Sequence, residues 1–281
     1  VAGVQGGDVE TVALPRPLGE GHRARQIHLE LRSLFPKARV VSVDHHRAHA
    51  ASAYYASPFE SATVVAMDNV GDFRCGSRWR AEGADLSLEA EMSYPDSLGD
   101  LYSRVTELLG FRPMLEEHKV QWLSVAGEPK YARVFREILR QDASGFRVDP
   151  AWFDMDRREA GGFGARFYEA LGLAEGAEVP ETMKPDLAAS IQAAAEAIVM
   201  DFAGEGGNLC LAGGLALNAL LVAALERSGR WDNVFVQPAA GNSGTAIGAA
   251  YHAWSRTHGR SERRPMRTLC LGPEFPAEQI K

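Results

Sequence analysis

This chain uses two kinds of strand connection, and that mixture restricts its fold more than any single residue does. Ala62–Met67 is an apolar run ending in Asp68, a buried-strand signature. Phe73–Ala81 and Leu86–Met92 follow at hairpin spacing, separated by Gly71–Asp72 and Glu82–Gly83. Hairpins make antiparallel neighbours. Much later, Pro185–Phe202 reads as a strong helix, with proline at its start and an alanine-rich run after it. Asn208–Ala212 is then a strand, Leu215–Ser228 a helix, Asn233–Val236 a strand and Ser243–Ser255 a helix. Helical crossovers make parallel neighbours. One sheet built by both devices is mixed, and the fold class is α/β.

The remainder is less regular. Residues 1–19 are rich in Gly and Pro. Residues 20–35 read as a helix carrying Ile27, Leu29, Leu31 and Leu34, Lys37–Asp44 as a strand, and His45–Tyr55 as a helix. Ser97–Leu109 is helical, and 96–183 continues as mostly helix and loop, with Gly161–Gly162–Phe163–Gly164 as a flexible turn. The order of three antiparallel strands, then helix–strand–helix–strand–helix, resembles one lobe of the actin–hexokinase (ASKHA) type of fold. On that resemblance 1–61 is a partial first lobe, 62–260 a second lobe with a helical insertion at about 96–183, and 261–281 a linker toward a C-terminal domain.

Three of the eight histidines fall within five positions, in Asp44–His45–His46–Arg47–Ala48–His49. If Asp44 caps a helix, His45 and His49 share one face, one turn apart. Two neutral imidazoles so placed can hold one metal ion, given oxygen or sulfur ligands from elsewhere. Asp68, just past a strand end, is the first such partner. In Gly241–Asn242–Ser243–Gly244, the backbone at a helix start suits phosphate, and Asn242 offers either a cap or a carbonyl ligand. Gly213–Gly214, between strand and helix, suits nucleotide contact or close packing, with Asn218 one turn into the helix. Lys119, in Glu116–Glu117–His118–Lys119–Val120, could neutralise a phosphate or simply be solvated.

Composition sets limits. A net charge of −7 argues against a dedicated nucleic-acid binder; the basic stretch Arg256–Arg267 reads as a solvated tail. Three scattered cysteines, Cys75, Cys210 and Cys270, suit a reducing compartment, and the expected location is cytoplasmic. No apolar run approaches the ~20 residues of a membrane span.

In order along residues 40–255, these segments resemble the O-carbamoyltransferases of the nodulation-factor, cephamycin and aminoglycoside type. The resemblance runs from Asp44–Ala53 through Ala66–Asp68, Ser97–Tyr102, Glu117–Val120 and Ala212–Asn218 to Gly241–Ala250. The transferase domain of that family is also similar to the enzymes that place threonylcarbamoyl on tRNA adenosine. The resemblance implies a divalent metal, often iron, on two histidines and aspartates. It implies transfer of carbamoyl from carbamoyl-adenylate to a hydroxyl of a small-molecule acceptor. A second, adenylate-forming domain, in cis or in trans, makes the adenylate from carbamoyl phosphate and ATP. Position by position, His45, His49 and Asp68 match metal ligands, and Gly213, Gly214 and Asn218 match the nucleotide turn. Asn242 stands where the family usually has an aspartate, leaving about one negative charge fewer. Gly241, Ser243, Gly244 and Lys119 are expected to hold the adenylate phosphate. The acceptor's base is assigned to His46.

Nothing before Val40 matches the family's opening unit, and the chain is expected to be a piece of a longer protein. A tRNA threonylcarbamoyl transferase and a non-catalytic nucleotide-binding lobe are the competing readings. A homodimer is compatible with all three.

Overall fold

The computed structural model describes residues 4–16, 22–142, 145–154, 156, 160–258, 265–269, 272 and 275–279. The expected linker at 261–281 and the basic stretch 256–267 lie partly outside these residues.

The elements are β1 (Thr11–Leu14), α1 (His22–Leu34), β2 (Arg39–Ser42), α2 (His45–Tyr54), β3 (Ser61–Gly71), β4 (Arg74–Glu82), β5 (Asp85–Ser93), α3 (Leu98–Leu108), α4 (Glu117–Ser124), α5 (Ala132–Ile138), β6 (Leu139–Asp142), β7 (Gly145–Val148), α6 (Ala165–Ala170), α7 (Lys184–Ala203), β8 (Gly206–Ala212), α8 (Ala219–Arg227), β9 (Trp231–Val236) and α9 (Gly244–His258). Five strands form one mixed sheet in the order β5-β4-β3-β8-β9. The hairpins make β3–β4 and β4–β5 antiparallel, and the helical crossovers make β3–β8 and β8–β9 parallel.

The central strand β3 is apolar on both faces because both are covered. Val64 and Ala66 pack with Cys210, Ala212, Trp79 and the α2 residues Ala50, Ala51 and Tyr54. Val65 and Met67 face the larger cluster, with Leu209, Leu211, Leu98, Leu187 and Ile191. The first of these clusters places α2 directly on the sheet, so the boundary expected at residue 61 runs through a packed layer. Small residues let α2 approach α9 closely: a Cβ added at Gly248 would stand 1.8 Å from the Ala48 carbonyl oxygen.

Three local expectations change. The 96–183 segment also contains the hairpin β6–β7, whose four-residue strands bury little besides Leu139 and Phe146, too few for a period to show. Gly161–Gly164 is not a loose turn: all four residues are buried, and Phe163 stacks on Phe167 with ring centroids 4.0 Å apart. The helix expected over Leu215–Ser228 is broken. A 3-10 turn covers Gly214–Leu217, and Asn218 then caps α8. Gly213, at φ 87°, turns the chain out of β8. No described helix is long and apolar enough to cross a membrane.

Candidate metal centre and cleft

Asp44 terminates the β2 connection and caps α2, its Oδ1 accepting from the Arg47 N–H at 2.9 Å. The cap fixes where the helix starts, and hence that His45 and His49 share a face. Both are buried, at 1% and 0% exposure, and their rings meet edge to face with centroids 4.7 Å apart. Across from them, Asp68 lies within β3 rather than past its end, at the place where the β3–β4 register breaks between Met67 and Gly71. His45 Nε2 and His49 Nε2 each lie 3.2 Å from Asp68 Oδ2. One donor atom from each residue falls within 4.8 Å of the other two. Burial alone would raise the Asp68 carboxyl. The hydrogen bonds from His45 and His49 outweigh it and hold the group well below the usual carboxylate range.

Glycines allow this placement. The Asp68 backbone is closed in by Gly99, where a Cβ would sit 2.7 Å from the Asp68 carbonyl oxygen, and by Gly213, where it would sit 2.1 Å from that of Met67. Gly71 lies flat against the His45 ring, since a Cβ there would come within 2.0 Å of Cδ2. Ser97 ties α3 to the same segment: its Oγ caps Asp100 N at 3.0 Å and donates to the Asn69 carbonyl at 2.6 Å.

Asp68 also opens onto a cleft of about 370 Å3, lined by α3, α4 and the turns after β8 and β9. Gly214, Asn218, Gly241 and Asn242 join it there, so four of the residues expected to contact nucleotide or metal do converge with Asp68. Asn242 is exposed, and its backbone carbonyl, not its side chain, closes the α9 turn by accepting from Thr245 Oγ1 at 2.6 Å. Asn218 is the cap of α8, not a residue one turn inside it. Its Oδ1 accepts from Leu221 N at 3.0 Å and Gln192 Nε2 at 3.2 Å, and its Nδ2 donates to Gln192 Oε1 at 2.8 Å. Among the cleft-lining residues, Gly213, Ser243 and Gly244 are absent; Gly213 instead packs on the Met67 backbone and Gly244 on the Ala239 carbonyl.

Two expected roles do not fit the geometry. Lys119 is not on the cleft wall: its Nζ pairs with Glu116 Oε1 at 2.8 Å and lies over the Phe111 ring. The α4 side chains that reach the cleft are its neighbours Glu117, His118 and Gln121. Glu117 and Gln121 stand one turn apart on one helical face, and Lys119 points to the opposite side. Lys119→Ala is expected to leave the urea unfolding midpoint essentially unchanged, since an exposed ion pair contributes little; urea titration of the two proteins checks it.

His46 is the second. Its Nε2 lies 3.0 Å from the Arg74 carbonyl oxygen, which only accepts, so Nε2 carries the proton. Nδ1 then accepts from the Ser77 hydroxyl at 2.9 Å, and Ser77 Oγ accepts from Trp79 Nε1 at 2.9 Å. Both ring nitrogens are committed, which leaves no lone pair for an acceptor hydroxyl. Burial, with the nearby His49, pushes the His46 imidazole down to about 4. A folded value below the unfolded 6.5 adds stability that is complete above 6.5 and lost as pH falls toward 4. The expected loss is on the order of 3 kcal/mol. Urea unfolding of wild type and His46→Gln between pH 7 and 4 should show the wild type's advantage shrinking over that window.

Residues 20–251 match the family model described as Carbamoyltransferase N-terminus. The chain is 39% identical over 255 residues to the uncharacterised protein sll1178 of Synechocystis, covering 85% of this chain and 41% of that protein. It is 33% identical over 247 residues to the nodulation protein NolO of Bradyrhizobium diazoefficiens, covering 84% of this chain and 43% of NolO. It therefore spans about two-fifths of the length of these relatives. In fold it is similar to component A of the Acidaminococcus fermentans (R)-2-hydroxyglutaryl-CoA dehydratase, with a TM-score of 0.51 at 14% identity over 86% of this chain and 87% of that one. The family match and the NolO similarity together establish that the chain belongs to the carbamoyltransferase family, of which it carries the N-terminal part.

Proposed function

We propose that this chain transfers carbamoyl from carbamoyl-adenylate to a hydroxyl of a small molecule, a natural product or a sugar, with a divalent metal at His45, His49 and Asp68. The observation that carries the reading is the buried cluster of two imidazole nitrogens and one carboxylate oxygen, joined through Asp68 to the cleft. The donor set fits a metal: two imidazoles and one carboxylate, pre-clustered and buried, form the combination typical of non-haem Fe2+ sites. When bound, the metal supplies Lewis acidity for charge developing on a donor oxygen.

The chain's own residues account for the rest. Asp68, held ionised, links the centre to the cleft. The Gly241–Asn242 turn lies where the adenylate would meet the start of α9. With His46 committed to its own network, the proton acceptor comes from the cleft wall, where Glu117 and His118 stand. The acceptor oxygen attacks the carbamoyl carbon, the bond from that carbon to the phosphate oxygen breaks, and AMP leaves. The adenylate comes from an adenylate-forming domain in cis or in trans. We read the sheet as one lobe of the actin–hexokinase type, with the cleft at the carboxyl ends of β3, β8 and β9.

The test supplies the intact protein with Fe2+ and carbamoyl-adenylate and offers a panel of sugars and aminoglycosides. The expected result is acceptor-dependent AMP release and a carbamoylated hydroxyl. AMP release that needs threonylcarbamoyl-adenylate and tRNA instead would assign the chain to the tRNA-modifying reaction.

A further inference from the structure

We propose that Arg16 is a latch on this metal centre: its hydrogen bond to His45 and a metal on His45 exclude each other. The inference rests on the metal reading above and goes beyond it, since Arg16 lies ahead of the matched residues 20–251.

Arg16 Nη2 lies 3.3 Å from His45 Nδ1. A guanidinium carries five N–H donors and no acceptor, and it does not deprotonate in proteins. Nδ1 must therefore present its lone pair to Arg16. A neutral imidazole has one ring proton, which then sits on Nε2. That is the atom 3.2 Å from Asp68 Oδ2, and an N–H there completes a hydrogen bond to the carboxylate. So the arrangement is self-consistent from Arg16 through the ring to Asp68.

Metal binding at Nε2 requires the opposite tautomer. Nε2 gives its lone pair to the metal, the ring proton moves to Nδ1, and two N–H groups then face each other at 3.3 Å. Metal-ligating histidines normally give that second N–H to a carboxylate, carbonyl or water. Here a donor fills the acceptor's place.

The imidazole is not free to turn away. It lies flat on the Gly71 backbone, and its own main-chain N–H is held by Asp72 Oδ2 at 3.1 Å. Arg16 is exposed, just past the end of β1, and is the partner able to move. Loading the centre thus displaces the guanidinium. Arg16 lowers the metal affinity in two ways, by the bond that must break and by its positive charge beside a dication.

The experiment titrates the intact protein with Co2+, followed by its visible absorption, in the wild type, Arg16→Gln, Arg16→Ala and His45→Ala. We expect both Arg16 variants to bind Co2+ about tenfold more tightly than the wild type. Nitrogen-15 spectra of the histidine rings should place the His45 proton on Nε2 without metal and on Nδ1 with Zn2+. Equal or weaker binding by Arg16→Gln and Arg16→Ala, with His45→Ala still defective, overturns the latch and leaves the metal centre standing. Binding by His45→Ala as tight as the wild type's, or no binding by the wild type at millimolar Co2+, removes the metal centre and the latch with it.

Discussion

Asp68→Asn is expected to strip the centre of its metal and to lower carbamoyl transfer by on the order of a thousandfold. The side chain keeps its shape and loses its charge. Two effects follow from the geometry. One oxygen, Oδ2, now serves both His45 Nε2 and His49 Nε2, and an amide can offer a single oxygen to that pair. The other carboxylate oxygen accepts from the Asn69 N–H at 2.9 Å, so turning the amide to satisfy the histidines places an NH2 against another donor. The consequence for stability has a definite sign. The Asp68 carboxyl is held below its ordinary value of 3.8, so it stabilises the fold above that pH and ceases to do so as pH falls below it. Asp68→Asn should therefore be less stable than wild type at pH 7 and closer to it in strong acid. Metal content after dialysis, turnover with carbamoyl-adenylate and urea midpoints at the two pH values check the three parts separately.

The second large effect lies in the backbone. Gly213→Ala is expected to cost about 4 kcal/mol, enough to reduce the folded yield sharply. Gly213 sits at φ 87°, and an added Cβ would stand 2.1 Å from the Met67 carbonyl and 2.8 Å from its nitrogen. Both neighbours are backbone of the central strand, which cannot give way without moving Asp68. Gly172 separates strain from crowding: it has φ 71° and nothing within 4 Å of its added Cβ. Gly172→Ala should cost only about 1 kcal/mol, the strain alone. Urea unfolding of the two variants side by side is the measurement.

These cases show which parts of the molecule can be read from the chain and why others cannot. The strands of the mixed sheet are legible because β3 and β8 are buried on both faces and leave short apolar runs, and because Gly71–Asp72 and Glu82–Gly83 mark the hairpins. The start of α2 is legible because Asp44 caps it, and from that the common face of His45 and His49 follows. Their meeting with Asp68 is less accessible. It depends on a register break in β3 and on Gly99, whose small size matters only for a contact 31 positions upstream. The commitment of His46 is set by Ser77, Trp79 and the Arg74 carbonyl, three groups of β4 that no local pattern ties to α2. Lys119 failed for a simpler reason: a helix shows different side chains to different sides, and the choice of face comes from packing. Asn218 reads as a ligand in a glycine-rich turn but is used as a cap, and its amide is spent on Leu221 and Gln192.

The proposed function stands on His45, His49 and Asp68 binding one metal ion. Anomalous diffraction from crystals of the intact protein loaded with Fe2+, collected at the iron edge, tests it most directly. One strong peak is expected at about 2.0–2.2 Å from His45 Nε2, His49 Nε2 and an Asp68 carboxylate oxygen, the ordinary range for imidazole and carboxylate ligands. A peak elsewhere in the chain, or none at this cluster in crystals that contain stoichiometric iron, would contradict it.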